Sequence, residues 1–148
     1  MKLDAAFRNV QHIYIDTAPL IYLVERNPHY IARMLGIVDF IEAARLLGFT
    51  SVVTLTEILV QPLRLGNTDR AQQYYDIIVG RYDFTLVSFT SEIAISAAAI
   101  RARYGLRIPD AMQAATAVIS DCDALLTNDN HFLRVEDLNV LLLDDLEL

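Results

Sequence analysis

The feature that most constrains this chain is a regular alternation between short β-branched or apolar runs and longer stretches whose apolar residues recur at helical spacing. Residues 13–15 form the first such run, closed by Asp16, and Thr17-Ala18-Pro19 then opens a helical pattern through Leu20, Ile21, Leu23 and Val24. Beyond Asn27-Pro28, the residues Ile31, Leu35, Val38, Ile41 and Leu46 carry a second helix, expected to stop at Gly48. A strand over 49–53 follows, then a helix from Thr54 that Pro62 and Gly66 interrupt. Thr68-Asp69 caps a further helix with Tyr74, Ile77 and Ile78 on its inner face. The second half repeats the theme: a strand over 85–89, an alanine-rich helix over 90–104, a helix opened by Pro109, a strand at Ala124–Thr127, the turn Asn128-Asp129-Asn130, and a last strand over 140–143.

This pattern specifies an α/β fold, a three-layer α/β/α sandwich whose mostly parallel central sheet is covered on both faces. At 148 residues and 54% hydrophobic, the chain suits a single domain, 1–148, with a core of its own, and no repeat or linker divides it. The lone Cys122 cannot form an internal disulfide, which favours a reducing, cytoplasmic setting. No leader-like start and no apolar run of ~20 residues is present, so no membrane segment is expected.

In such folds, ligands gather beyond the carboxyl ends of the strands. Asp16 ends the first strand, Glu57 lies one turn into the helix after the second, and Asp129 follows the strand Ala124–Thr127. Asp110 enters from a helix N-terminus that can be aimed at the same edge. Each acid also has a structural reading. Asp16 can cap its helix, Asp110 can stabilise a helix dipole, Asp129 suits a turn, and Thr54-x-x-Glu57 has the spacing of a capping box. Their convergence favours a shared site, because unrelated caps should scatter over the fold. Crowded carboxylates repel and call for a proton or a cation, and an oxygen-only set suits Mg²⁺ or Mn²⁺, ions that also bind phosphate oxygens.

The net charge of -7 excludes binding of nucleic acid through a broad basic surface, although a metal held by acids reverses the local sign. Lys2 is the only lysine, which removes most phosphoryl-accepting enzymes from consideration, since such sites use a lysine beside the phosphoryl group. The five glycines are isolated, so no phosphate loop exists, and G-x-S-x-G does not occur. Arg101, Arg103 and Arg107 precede Asp110 and are candidates for holding an RNA backbone, with a solvated helix face as the plainer reading. Tyr14, Tyr22 and Tyr104 fit the core better than base stacking, and His12, His29 and His131 fall in no metal-ligand spacing.

Residues Ile13-Tyr-Ile-Asp16-Thr-Ala-Pro-Leu-Ile-Tyr22, Thr56-Glu57, Ile108-Pro-Asp110-Ala-Met-Gln-Ala-Ala115 and Leu126-Thr-Asn-Asp129-Asn-His-Phe132 resemble, in order, the four motifs of PIN-domain ribonucleases, and within them VapC-like toxins of toxin-antitoxin pairs. The resemblance implies Mg²⁺-dependent endoribonuclease activity, homodimerisation, and inhibition by a cognate antitoxin. It also implies that Asp16, Glu57, Asp110 and Asp129 are the metal-binding acids, with Asp16 and Asp110 the direct ligands and Thr127 the assisting hydroxyl. The rival is a catalytically silent PIN-like module that binds RNA or a protein partner without cutting.

Overall fold

The computed structural model describes all 148 residues. After a single helical turn, α1 (Leu3–Ala6), the chain forms β1 (His12–Ile15), α2 (Thr17–Val24), α3 (Ile31–Glu42), β2 (Leu47–Ser51), α4 (Val52–Arg64) and α5 (Thr68–Asp76). A π-helical turn, Ile77–Arg81, leads to β3 (Thr85–Val87), α6 (Ser91–Tyr104), α7 (Ile108–Ile119), β4 (Ala124–Thr127), a 3₁₀ turn at Asn130–Arg134, β5 (Val140–Leu142) and a closing 3₁₀ turn, Leu143–Asp145. The five strands pair in the order β3-β2-β1-β4-β5, every pair parallel. The expected α/β/α sandwich is therefore realised with an entirely parallel sheet.

Strand periodicity divides the core between the two faces. Ile13 and Ile15 of β1, with Ala124 and Leu126 of β4, pack on one face against α1 to α5, where Leu20, Met34, Ile37 and Ile78 are fully buried. Tyr14 and Leu125 point to the other face and meet α6 and α7. There Ala111, Ala114, Ala115 and Ala117 let α7 lie close to the sheet. Asp123 fastens the opposite edge, accepting from the backbone N–H of Gln11 (2.8 Å) and of His12 (2.9 Å), and these bonds hold its carboxyl below the usual range. No helix is long and apolar enough to cross a membrane.

Several boundaries differ from the sequence reading: β2 spans Leu47–Ser51 rather than 49–53, β3 ends at Val87 and β5 at Leu142, and Asn67, not Thr68-Asp69, caps α5 by accepting from the Arg70 N–H. Three further differences have a clear local reason. Helix α3 ends at Glu42, turned by Ala44 in a left-handed conformation (φ 57°), and Gly48 instead lies inside β2. A Cβ at Gly48 would come within 2.8 Å of Ile41 Cδ1 and 2.9 Å of Phe84 Cδ1, so close packing explains this glycine. Gly48→Ala is expected to destabilise the fold by about 1–2 kcal/mol, readable as a shift in urea midpoint at unchanged slope. Helix α4 begins at Val52, two residues before Thr54, and continues through Pro62, which falls near its end. Thr54 is consequently interior to the helix, and the capping-box reading of Thr54 and Glu57 is overturned.

Candidate active site

The sheet order changes direction between β1 and β4: the chain first builds outward through β2 and β3, then crosses to β4 and β5. Such a switch point leaves a crevice at the carboxyl ends of the two strands. Asp16 directly follows β1 and Asp129 lies two residues beyond β4, so these acids flank that crevice. Glu57 projects from the second turn of α4, and Asp110 sits in the first turn of α7.

Asp16 occupies the N-cap position of α2, but its cap is unusual. The third helical residue is Pro19, which has no N–H to offer, and the Asp16 carboxylate accepts only from the adjacent Thr17 N–H, at 2.7 Å. Its other oxygen accepts from the buried Thr127 hydroxyl, also at 2.7 Å. Only 8% exposed and without a cationic partner, this carboxyl has its pKa pushed up to about 6. Desolvation is the main cause, the bonds from Thr127 and Thr17 oppose it, and the charges of Glu57 and Asp110 add to it.

Thr127 also fixes the next acid, because its Oγ1 accepts from the Asp129 backbone N–H at 2.9 Å. The Asp129 carboxylate itself caps the 3₁₀ turn, accepting from the His131 N–H at 2.9 Å and lying 3.0 Å from His131 Nδ1. Asp110 pairs with the Arg107 Nε at 3.3 Å. In these orientations no three Asp, Glu, His or Cys side chains surround a common point closely enough to chelate an ion. Mg²⁺, however, is commonly held by one or two carboxylates with water completing its shell. A desolvated, cation-free Asp16 with two further carboxylates in electrostatic reach, all oxygen donors, fits such an ion.

A family model for the PIN domain matches residues 13–138, which includes all four acids. The chain belongs to the PIN-domain family. Among solved structures, the PIN domain resembles a chain of FitAcB from Neisseria gonorrhoeae at 19% identity and TM-score 0.69, covering 90% of this chain and 99% of that one. A chain of VapBC2 from Rickettsia felis bound to a promoter DNA fragment gives 19% identity and TM-score 0.70, with 89% and 98% covered. One from DNA-bound VapBC of Salmonella typhimurium gives 17% and 0.69, with 90% and 98% covered. These are likenesses of fold. No curated protein matches by sequence.

At the centre of this PIN domain lies a residue that sequence reasoning passed over. Gln113, 1% exposed on α7, sits among hydroxyls from four other elements, β1, β2, α2 and α4. Its Nε2 donates toward Thr54 Oγ1 (2.8 Å), Thr17 Oγ1 (3.0 Å) and Glu57 Oε1 (3.2 Å), while its Oε1 accepts from the buried Tyr14 hydroxyl. Because a carboxylate can only accept, the amide nitrogen must be the end that faces Glu57. Thr17 Oγ1 gives Glu57 a second, longer contact at 3.4 Å. The available signal was a glutamine three residues after Asp110, in a helix whose other buried residues are four alanines and Thr116.

The three arginines separate. Arg107 stands beside Asp110, but Arg101 donates to the Leu106 carbonyl at 2.6 Å, and Arg103 pairs with Glu136 at 3.2 Å. Tyr14 is buried as expected, and Tyr22 stacks on Tyr30 at 4.2 Å between ring centroids. Tyr104 is half-buried, packed against the α6 and α7 core.

Proposed function

We propose that this PIN domain is an endoribonuclease dependent on Mg²⁺, with Mn²⁺ able to substitute, and that it is the toxin of a toxin-antitoxin pair. The observation that carries the reading is Asp16: a buried carboxyl at the switch point, oriented by two hydrogen bonds, raised to about 6, and flanked by other acids with no cation from the chain to balance it. Such an arrangement costs stability and is retained where a charge must be held ready. Asp16 and Asp110 would hold the metal, with Glu57 and Asp129 beside them. Bound there, the ion would supply Lewis acidity toward a phosphate oxygen and an activated water. The chain's own part is orientation: Thr127 and Thr17 fix Asp16, Thr127 fixes the backbone of Asp129, and Gln113 fixes Glu57.

The antitoxin follows from the same reading. Structures of toxin-antitoxin complexes, one from Klebsiella pneumoniae among them, contain chains of this fold. The groove between α4 and α5, lined by Leu59, Leu63, Ala71 and Tyr75, leaves apolar surface for protein partners to cover, a cognate antitoxin and a second copy of this chain. Sedimentation at micromolar concentration is expected to show a dimer.

Purified chain freed of any partner is expected to cleave single-stranded RNA when Mg²⁺ or Mn²⁺ is supplied and to stop on addition of EDTA. The metal should also raise the melting temperature, with about 1.4 kcal/mol gained at tenfold excess over Kd. A chain that binds RNA but cuts none at any metal concentration would be the silent module instead.

A further inference from the structure

Beside the acid cluster is a small recess of about 150 Å³, lined by Gly105, Leu106, Arg107, Asp110, His131 and Arg134. Two arginines and a histidine therefore line one space whose wall includes a candidate metal acid. Arg134 is exposed at the end of the 3₁₀ turn and forms no ion pair, whereas the Arg107 charge is shared with Asp110. Phe132, fully buried two residues before Arg134, anchors the turn. His131, also on the recess wall, turns its Nδ1 toward the Asp129 carboxylate at 3.0 Å. Opposite, α7 opens on Arg107 without a side-chain cap, so the first N–H of the helix is not satisfied by a side chain there.

We propose that this recess is a phosphate-binding subsite for the RNA strand, with Arg134 as its principal ligand and Arg107 completing it. The inference rests on the ribonuclease reading, and it replaces Arg101 and Arg103, whose guanidinium groups are engaged elsewhere, as the residues that hold the RNA backbone. The chemistry is that of a phosphodiester: two arginine side chains converge on a space that contains one acid already paired. Because the recess shares Asp110 with the candidate active site, a phosphate held there belongs to the strand being cut and sets its register.

The test measures binding of a short labelled single-stranded RNA to the full chain carrying Asp16→Asn, which prevents cleavage, across a salt series. Adding Arg134→Gln should weaken binding by about three- to tenfold and make the salt dependence shallower by about 0.7, the value of one phosphate contact on a single strand. Arg103→Gln in the same background should change neither quantity. The subsite is overturned if Arg134→Gln matches its parent, if Arg103→Gln has an equal effect, or if the parent binds no RNA. The two readings fail separately: RNA binding through Arg134 without cleavage by the wild type would remove the ribonuclease and leave the subsite, and cleavage with binding indifferent to Arg134 would do the reverse.

Discussion

Asp16→Asn is expected to abolish RNA cleavage and, at neutral pH, to make the metal-free fold more stable. The loss of rate should be about 10³-fold or more, equivalent to about 4 kcal/mol of barrier, because the variant removes the charge at the best-buried acid of the cluster. The gain in stability follows from its titration. A carboxyl raised from 3.8 to about 6 on folding holds its proton longer in the native state. Its contribution to stability is therefore full below about 4, fades as pH rises through about 6, and is absent at neutral pH. The amount is on the order of 3 kcal/mol. Asparagine mimics the uncharged form and can still accept from the Thr17 N–H, so unfolding free energies of wild type and variant should diverge between pH 4 and 7. Subtracting one profile from the other isolates this carboxyl from opposing groups such as Asp123. Equal stabilities across that range would contradict the account of Asp16.

Gln113→Leu should have the largest effect of any change outside the acids. The substitution keeps approximate volume but removes the amide shared by the buried hydroxyls of Tyr14, Thr17 and Thr54, leaving Tyr14 only Ser51 at 2.8 Å, and it releases Glu57. Unpartnered buried polar groups cost about 1–3 kcal/mol each, and some of these hydroxyls can re-pair with one another, as Thr17 and Thr54 already do at 2.9 Å. A net loss of about 2–4 kcal/mol in urea denaturation is expected. Under conditions where the variant is still folded, metal affinity should fall by about 10- to 100-fold, the usual penalty for losing a group that orients a metal-site residue. A stability loss with metal affinity untouched would mean that Gln113 supports the core alone.

Most of the architecture was legible because local patterning carried it. The run Ala124–Thr127 was readable to the residue, since a strand buried on both faces leaves a continuous apolar signature bounded by turn residues. The placing of Asp16 and Asp129 beside the switch point was legible because each follows a strand, β1 and β4. What escaped depended on contacts distant in sequence. Gly48 looks like a helix stop until Ile41 and Phe84 are seen to close over it. Thr54 and Glu57 match a capping box by spacing, yet Ser51 is the N-cap residue, and Thr54 turns inward to Gln113. Arg101, Arg103 and Arg107 look alike in the sequence, and only the folded positions of Leu106, Glu136 and Asp110 give them different tasks. Arg134 gains its meaning only when the 3₁₀ turn brings it opposite the start of α7.

The central claim, that the acids at the β1/β4 switch point form a divalent-metal site, is tested most directly by calorimetric titration of Mn²⁺ into the partner-free chain. Saturable heat is predicted for the wild type, with affinity at least about 100-fold weaker in Asp16→Asn. No heat from the wild type at millimolar Mn²⁺, or equal affinity in the two proteins, would contradict it.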